Sequence, residues 1–414
     1  MRLLVVSQYF WPENFRINDL VAEMVRRGHD VTVLTGVPNY PTGVVDAAYR
    51  RHPERYATHE GARIVRVPMV PRGRGGMRLV LNYLSFAISA ALVGLWKLRG
   101  RAFDAILVYE PSPVTVGIPG AVMRAVKRAP MAFWVLDLWP ETLRAVGVVK
   151  SGWMLKLVGR LVSAIYQRCD LILAQSRSFM APIRHYAGAE RRIEYFPSWA
   201  ESVFDGTAAE PAREVAPAAD SFSVMFAGNI GEAQDFPAIL AAAEALKDHT
   251  SIRWLVVGDG RMSAWVAREI AARDLGRSVR LLGRYPVERM PSFFRHADAL
   301  LVSLKDEPIF ALTIPGKLQS YLAAGTPVIA MLNGEGAELL ADAEAGLTCA
   351  AGDAAGLAQA VLRLASMSAA QRQAMGERGR ALYAREFERR LLLDRLEGWL
   401  LELAATGMAA GRRP

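Results

Sequence analysis

Short apolar runs alternate with helical stretches along the first 200 residues. The runs are RLLVVSQYF, HDVTVLTG, ARIVRVPMV, FDAILVYE, PMAFWVLDLW and DLILAQS, and a helix is predicted near residues 17–27, between the first two. Continuous apolar strands separated by helices are typical of stacked βαβ units. The pattern therefore predicts an α/β domain in which helices cover both faces of a parallel sheet.

The second half of the chain repeats the alternation. Its apolar runs are SFSVMFAGN, SIRWLVVGDG, SVRLLGRY, ADALLVSL, TPVIAML and GLTCA. Residues 201–220 are rich in Ala, Pro and Glu, which is typical of a linker. We predict a Rossmann-like, doubly wound domain over 1–200, a second over 221–375, and a helical segment, 376–414, that crosses back to the first. Two facing domains of this class place their ligand in the crevice between them, so the active site is expected there.

The composition agrees with two folded domains. The chain has 414 residues, 52% of them hydrophobic, which is more than one ordinary core can serve. Its two cysteines, Cys169 and Cys349, lie far apart and offer neither a disulfide framework nor a zinc cluster. The first apolar run is too short for a signal peptide, so a cytoplasmic protein is expected.

Positive charge is concentrated in the first half. Residues 1–200 hold 27 basic and 14 acidic residues, a net charge of +13, whereas residues 201–414 carry −4. Six basic residues flank the apolar run LVLNYLSFAISAALVGLWKL: Arg72, Arg74, Arg78, Lys97, Arg99 and Arg101. This is typical of a helix on a membrane surface, so segment 72–101 is predicted to bind the inner face of the cytoplasmic membrane. A buried core helix and a membrane span over 79–98 are the alternatives.

Small residues follow the first strand of the second domain. FAGNIGEAQDF places Gly228, Asn229 and Gly231 before a predicted helix, where backbone N–H groups and the helix dipole favour a phosphate. The same glycines also fit a tight turn. The following GDG at 258–260 lacks the GxGxxG spacing, so a dinucleotide fingerprint is not met.

The most specific segment is ALTIPGKLQSYLAAGTPVIAM. Pro315 and Gly316 are predicted to open a helix, and Gly325 to end it. Lys317 then lies where a cation reaches a phosphate at the helix N-terminus, an arrangement suited to a leaving diphosphate. A solvated surface lysine is the alternative.

These motifs resemble the retaining nucleotide-sugar glycosyltransferases of GT-B fold, family 4. GHDVTVLTG, DLWPE, FAGNIG, VVGDG, LLGRYPVERMPSFFRHADALLVSL and GKLQSYLAAGTPVIA all have counterparts in the family's order. Four further segments resemble the branch that transfers deoxy-amino sugars such as N-acetylfucosamine in O-antigen or capsule assembly: SQYFWPENFRINDL, PNYPTG, YEPSPVTVGIP and FWVLDLWPET. The resemblance implies transfer from a UDP-sugar to a polyprenyl-diphosphate-linked saccharide, without a metal or other cofactor.

The sequence departs from the family at the donor site. The family's acidic pair corresponds to Leu312 and Ser320, and its usual Arg and Lys after the first strand of the second domain correspond to Asn229 and Gln234. Lys317 therefore becomes the main candidate cation for the leaving group.

Other positions carry over from the resemblance. Arg284 and Tyr285 correspond to the segment that holds the nucleotide base, and Glu338 falls near a conserved acidic turn that contacts the donor. The family's Gly-Gly loop after the first strand is replaced by residues 13–16, which makes Asn14 and Arg16 acceptor-side candidates. A helix cap or a salt bridge is the alternative for Arg16.

Two carboxylates end strands of the first domain. Asp137, in WVLDLWPE, is the candidate for orienting the acceptor hydroxyl or taking its proton, and a turn cap is its alternative. Glu110, in YEPSP, is a candidate for binding the acceptor sugar. The six His residues show no metal-ligand spacing.

Three alternative functions were weighed. A sugar-nucleotide 2-epimerase shares the architecture, and an inactive membrane-associated scaffold is compatible with the missing acidic pair. The basic residues are not interleaved with stacking aromatics in a recognisable module, which argues against nucleic-acid binding.

Overall fold

The computed structural model describes residues 1–73, 76–145, 151–205, 209–216 and 221–409. The chain divides into two compact units, one formed by Met1–Phe196 with the chain from Leu393 onward, the other by Pro197–Leu392. The division falls four residues before the predicted boundary, and the chain returns to the first unit at Leu393 instead of residue 376. Arg74, parts of the 201–220 linker and residues 410–414 lie outside the described residues.

The first unit contains an eight-stranded sheet. Its strands are β1 (Arg2–Ser7), β2 (Asp30–Gly36), β3 (Thr58–His59), β4 (Ala62–Val67), β5 (Ala105–Glu110), β6 (Met131–Val135), β7 (Leu171–Ala174) and β8 (Ile193–Tyr195). The strand order is β3-β4-β2-β1-β5-β6-β7-β8, and all neighbours are parallel except β3 and β4. Val5 of β1 lies between Val33 and Leu107 of its neighbours. Every residue of β5 is buried, as expected for a parallel strand covered on both faces.

Helices connect these strands. They are α1 (Arg16–Arg26), α2 (Ala47–Arg51), α3 (Gly76–Lys97), α4 (Gly117–Lys127), α5 (Glu141–Ala145), α6 (Gly152–Tyr166) and α7 (Met180–Ala187). Within the described residues, α3 is the one helix long and apolar enough to cross a membrane, and only 33% of its most apolar window is buried. A plain core helix, one of the three interpretations of this segment, does not fit that exposure.

The second unit is built on a six-stranded, wholly parallel sheet. Its strands are β9 (Phe222–Ala227), β10 (Ile252–Val257), β11 (Val279–Gly283), β12 (Ala299–Ser303), β13 (Val328–Met331) and β14 (Gly346–Cys349), in the order β11-β10-β9-β12-β13-β14. Its helices are α8 (Phe236–Ala245), α9 (Ser263–Ala272), α10 (Met290–Phe294), α11 (Pro308–Ala311), α12 (Gly316–Ala324), α13 (Glu335–Asp342), α14 (Ala354–Ser366) and α15 (Ala369–Glu386).

Each sheet reverses its strand order once. The reversal occurs at β1 in the first sheet and at β9 in the second, because the next strands in sequence lie on opposite sides of these two. Loops at the carboxyl end of such a strand diverge and leave room for a ligand. The topology therefore points to the loops after β1 and β9, where the sequence analysis also placed candidate residues.

The predicted linker is not an open connection in its described part. Residues 201–205 and 209–216 belong to the second unit, where Ala212 and Val215 are buried. The Ala212 N–H donates to the Ser292 carbonyl at 3.0 Å, and a ring nitrogen of His296 bonds the Ala212 carbonyl at 2.8 Å. The composition predicted a linker because the segment has few large apolar residues. Two small ones, Ala212 and Val215, are enough for this packing.

The last helix, α16 (Arg389–Ala409), joins the first unit from Leu393. Its leucines at 393, 396, 400 and 403 are buried. Arg27 contacts Glu397 at 2.6 Å and Asp394 at 2.7 Å, and the His29 ring contacts Glu397 at 2.7 Å. An apolar stripe and a group of ion pairs thus hold this helix to the first unit.

Candidate active site

Two loops of the second unit are pressed together at the carboxyl edge of its sheet. Gly228 follows β9 with φ of +139°, and Gly258 follows β10 with φ of +143°. A side-chain carbon on Gly258 would collide with the Gly228 carbonyl oxygen, and the Gly228 N–H donates to the Val257 carbonyl at 2.9 Å. Only glycine satisfies both the backbone angles and this close approach.

The next residues differ from the predicted phosphate loop. The Gly231 N–H donates to the Gln234 side-chain oxygen at 3.1 Å, and Asn229 lies 3.4 Å from the same oxygen. A short 3₁₀ turn over Glu232–Gln234 follows, and α8 begins only at Phe236. Gly231 is therefore not at the N-terminus of an α-helix, and Gln234 holds the loop in place. Gly228 and Asn229 are exposed, so a ligand can reach this loop.

Lys317 lies directly behind this loop. Its amine is shielded from solvent, has no hydrogen-bond partner, and is 3.6 Å from the centre of the Phe226 ring. A side-chain carbon on Gly228 would lie 3.1 Å from the same amine. Burial lowers the pKa of Lys317 to about 7, so at neutral pH it is close to half protonated. The surface-lysine alternative does not fit this position.

The helix that carries Lys317 begins and ends as predicted. Pro315 is the N-cap of α12, and Gly325 ends the helix in the left-handed conformation, with φ of +68°. One turn after Lys317, the Tyr321 hydroxyl donates to the Ala227 carbonyl at 3.0 Å and accepts from its N–H at 2.9 Å. These two bonds fix the start of α12 to the end of β9.

A carboxylate from a distant part of the chain contacts the same helix. The Ser320 hydroxyl donates to Glu201 at 2.8 Å. Glu201 is distant in sequence and lies in the predicted linker, so no local pattern indicated it. It brings an acidic group to one of the two positions at which the family's acidic pair is missing.

Arg284 and Tyr285 lie at the same edge of the sheet, after β11. The loop is tied to β10 because the Gly258 N–H donates to the Gly283 carbonyl at 2.8 Å. Arg284 is exposed, while the Tyr285 ring packs 4.5 Å from that of Phe293. Both are placed to line a ligand at this edge.

The acidic turn predicted at GEGAE forms the start of α13. Glu338 is exposed in the first turn, whereas Glu335 is buried. A side-chain carbon on Gly336 would lie 3.3 Å from Pro315, so this turn packs against the residue that precedes α12. The turn that contains the buried Glu335 therefore lies beside the start of the Lys317 helix, and a donor contact at the exposed Glu338 stays a prediction.

In the first unit, Asp137 follows β6 and is partly buried. One of its oxygens accepts from the Trp139 indole at 3.0 Å, and the other accepts from the Thr142 hydroxyl. Burial raises the pKa of Asp137 although these donors oppose the change. The bond to Thr142 also fits the turn-cap alternative, so both roles remain open. The Ser112 hydroxyl and the Leu138 N–H also lie within hydrogen-bond reach of this carboxylate.

Glu110 ends β5 beside Asp137 and is completely buried. One of its oxygens accepts from the Asp137 N–H at 3.3 Å, and the other has no partner among the described residues. Burial, together with the charge of Asp137, raises the pKa of Glu110 well above its usual value. A neutral carboxyl without exposure does not touch an acceptor sugar, so the predicted role of Glu110 is not supported by its position.

The loop after β1 carries the remaining candidates. Asn14 is exposed, and Arg16 is the first residue of α1 beside the Tyr109 hydroxyl. Glu13 was not singled out, yet it is buried and accepts from the N–H groups of Asn39 and Tyr40 at 2.6 Å each. It fastens the loop after β1 to the loop after β2.

In the part of the chain that the structure describes, no three His, Cys, Asp or Glu side chains lie close enough to hold a metal ion.

Two family profiles match the chain, one in each unit. A profile described as "Glycosyl transferase 4-like domain" matches residues 14–199, and one described as "Glycosyl transferases group 1" matches residues 221–367. The chain is a glycosyltransferase of the GT-B fold. The predicted fold class and enzyme class are thereby confirmed.

The chain has bacterial relatives that are named as glycosyltransferases. It is 26% identical over 340 residues to "Putative colanic acid biosynthesis glycosyl transferase WcaI" of Escherichia coli K12, a match that covers 78% of this chain and 82% of the relative. It is 29% identical over 218 residues to "Probable glycosyltransferase WbjE" of Pseudomonas aeruginosa, covering 50% of this chain and 52% of the relative.

Solved structures show the same fold. HepE of Anabaena, crystallised with UDP and glucose, aligns with the glycosyltransferase at a TM-score of 0.67 and 13% identity over 97% of this chain and 99% of HepE. At this identity the likeness concerns the fold alone. The roles of the individual site residues and the position of the active site between the units stay predictions.

Proposed function

We propose that this glycosyltransferase moves a sugar from a UDP-sugar to a hydroxyl group of a polyprenyl-diphosphate-linked saccharide, with retention of the anomeric configuration. The observation that carries the donor assignment is the buried, unpartnered amine of Lys317 behind the exposed backbone of Gly228. A leaving diphosphate supplies the anion that this amine lacks. The UDP complex of HepE, a protein of the same fold, supports the choice of nucleotide.

In the proposed reaction, the bond between the anomeric carbon and the β-phosphate oxygen breaks, and its electron pair stays on the diphosphate. Lys317 and the N-terminus of α12 stabilise this charge as it develops. The acceptor hydroxyl forms the new bond to the anomeric carbon and gives its proton to Asp137. Because Glu110 is held neutral beside it, Asp137 carries the charge of this carboxyl pair.

The proposed pathway is assembly of a bacterial surface polysaccharide, such as an O-antigen or a capsule. WcaI is named for colanic acid biosynthesis, which supports this class of product. The segments SQYFWPENFRINDL and YEPSPVTVGIP support a deoxy-amino hexose such as N-acetylfucosamine as the transferred sugar.

The exposed face of α3 supports a lipid-linked acceptor. Seven large apolar residues on this helix point to solvent: Val80, which is 46% exposed, and a series of six with exposed fractions of 76% for Met77, 47% for Leu81, 45% for Leu84, 59% for Ile88, 66% for Leu92 and 62% for Trp96. The six recur every three or four residues, so they form one stripe along the helix. A continuous apolar stripe of this length is costly in water and is stabilised by an apolar partner.

A second helix extends this surface. α4 packs beside α3, and α6 packs beside α4. Trp153, Met154 and Leu157 of α6 are exposed, and so are Lys156 and Arg160 between and after them. Apolar groups mixed with positive charge match a bilayer with anionic lipids. We therefore place the enzyme on the inner face of the cytoplasmic membrane, with α3 and α6 on the lipid side.

The donor assignment is tested by a thermal-shift panel with UDP, GDP, ADP, dTDP and NAD on the full-length protein. A ligand that binds only the folded state raises the free energy of unfolding by mass action, by about 2.7 kcal/mol at a hundredfold excess over Kd, and the melting temperature rises with it. We expect UDP to stabilise most. Stabilisation by NAD alone contradicts the proposal, and no response to any nucleotide favours the inactive scaffold.

A product assay separates the proposal from the epimerase alternative. Incubation with UDP-N-acetylglucosamine without an acceptor is expected to leave the nucleotide sugar unchanged. Appearance of a stereoisomer of the UDP-sugar in chromatography would favour the 2-epimerase.

A further inference from the structure

One arginine of the basic segment is held against the sheet edge instead of the solvent. The backbone N–H of Arg72 donates to the side-chain oxygen of Asn39 at 2.9 Å. The guanidinium carbon of Arg72 lies 5.6 Å from the centre of the Tyr40 ring. The residue is partly buried, whereas Arg78 and Arg99 are exposed. No described carboxylate forms an ion pair with Arg72, so its charge is available to a ligand.

Aromatic side chains surround this guanidinium. The rings of Tyr9, Phe15 and Tyr40 contact one another with centres 5.2 to 5.5 Å apart. Burial raises the pKa of Tyr9 and of Tyr83, and the charge of Arg72 opposes this rise at both hydroxyls. The Arg72 side chain is within hydrogen-bond reach of the Tyr9 hydroxyl, and its charge also acts on the hydroxyl of the half-buried Tyr83.

The acidic group on the loop after β1 is bonded to backbone N–H groups. Glu13 is the nearest acidic group on the loop after β1, and its carboxylate is bonded to the backbone of Asn39 and Tyr40. Burial raises the pKa of Glu13, although the backbone donors and the charge of Arg66 oppose this.

A line of contacts joins Tyr83 to the candidate base. The Tyr83 hydroxyl is within hydrogen-bond reach of Ser112, and the Ser112 hydroxyl is within reach of Asp137. The Tyr83 ring also meets that of Trp139, whose indole donates to Asp137. At the other side, the chain runs from Arg72 into α3, whose outer face is the apolar stripe described above.

We propose that Arg72, with the Tyr83 hydroxyl, binds the diphosphate of an isoprenoid-linked acceptor. This inference rests on the proposed function. An acceptor of that class presents, in order, an apolar chain, a diphosphate and a sugar hydroxyl. The first unit presents, in the same order, the stripe of α3, the guanidinium of Arg72 and the carboxylate of Asp137. A guanidinium matches phosphate oxygens with paired hydrogen bonds, which an ammonium group does not.

The test measures binding of geranylgeranyl diphosphate to the full-length protein by isothermal titration calorimetry, with geranylgeraniol as the uncharged probe. We expect the diphosphate to bind more tightly than the alcohol, and Arg72→Gln to weaken only the diphosphate, by about tenfold or more. Inorganic pyrophosphate is expected to compete, with lower affinity because it lacks the apolar chain.

Arg99→Gln is the matched control. It removes one positive charge at the opposite end of α3, where Arg99 stacks on Trp96 with a separation of 4.4 Å. We expect it to change diphosphate binding less than twofold, and Arg72→Lys to recover part of the loss. Equal losses in Arg72→Gln and Arg99→Gln would show a general charge effect and overturn the proposal, as would no loss in Arg72→Gln.

The thermal response to UDP separates this inference from the proposed function. Because the donor site lies in the second unit, Arg72→Gln is expected to keep the wild-type response to UDP, which also shows that the variant is folded. If Arg72→Gln loses the UDP response, diphosphate binding is measured instead in Arg72→Lys and in Tyr83→Phe. Each of these two variants should weaken diphosphate binding severalfold. A protein that responds to UDP but binds the diphosphate independently of these residues overturns this inference and leaves the donor assignment standing.

Discussion

At the scale of single residues, Lys317 combines a functional position with a cost in stability. Its amine has a pKa of about 7 in the folded protein against a usual value of 10.5. The unfolded chain therefore binds more protons between these two values, so the free energy of unfolding rises with pH across this window. The destabilising effect of the buried amine is largest below pH 7.

Replacing Lys317 by Met removes this effect. Methionine has a similar length and no charge, so Lys317→Met is expected to raise the melting temperature at pH 7 by several degrees. The gain should shrink as the pH rises toward 10. Glycosyl transfer should fall by about a hundredfold or more, because a charge that stabilises the leaving group is lost. Differential scanning calorimetry and a transfer assay check both outcomes, and unchanged stability together with full activity would contradict the assignment.

The same residue predicts a pH dependence of donor binding. A bound diphosphate favours the protonated amine, so binding raises the pKa of Lys317 and takes up a proton above pH 7. The affinity for UDP-glucose is expected to fall by up to about tenfold per pH unit between pH 7 and pH 9, and to level off below pH 7. Calorimetry across this range measures the slope. In Lys317→Met the slope should disappear.

At the scale of elements, the proposed lipid-binding surface lies on the helices α3 and α6, whereas the proposed donor site lies in the second unit. Lipid binding can therefore be tested without changing the donor site. Ile88→Glu combined with Leu92→Glu places two charges on the apolar stripe of α3. We expect this variant to lose most of its sedimentation with vesicles of phosphatidylethanolamine and phosphatidylglycerol, since each charge would have to enter the bilayer interface. Its thermal response to UDP should remain.

Leu281→Glu is the matched control for that experiment. Leu281 is also an exposed leucine, but it lies on β11 in the second unit, away from both helices. Its replacement should leave sedimentation unchanged. Equal sedimentation of the α3 variant and the wild-type protein would contradict the membrane assignment, and weaker wild-type binding at high salt would show the contribution of the basic residues.

At the scale of the whole molecule, the last helix is fastened to the first unit by charge as well as by leucines. Burial disfavours the charge of Glu397, but the hydrogen bonds from Arg27 and His29 outweigh it and hold the pKa of Glu397 below its usual value. This group therefore stabilises the fold at neutral pH, and the contribution is lost as the pH falls below about 4.5.

Glu397→Gln is expected to lower the free energy of unfolding by about 1–2 kcal/mol at pH 7. The difference from wild type should shrink between pH 7 and pH 3, as the carboxyl becomes protonated. Glu402→Gln is the control on the same helix, because Glu402 pairs with Arg192 at 2.9 Å with 60% of its side chain exposed, and it should cost less than about 1 kcal/mol. Denaturant unfolding at both pH values tests the comparison.

The sequence by itself determined the elements and much of their arrangement. Apolar runs that alternate with helices are a local property of the chain, and parallel sheets bury such runs on both faces, so the two α/β domains followed from the pattern. The start of α12 at Gly316 and its end at Gly325 followed from the side chains at those two positions.

Only the tertiary structure decided which distant residues meet. Glu201 reaches Ser320, Glu13 fastens the loop at Asn39, and Arg72 lies over Tyr40 because separate strands end at the same edge of a sheet. The complete burial of Glu110 and of the Lys317 amine could not be predicted from the sequence either, since burial depends on every segment that packs around a group. Periodicity is written into neighbouring residues, whereas proximity and exposure arise only when the sheets assemble.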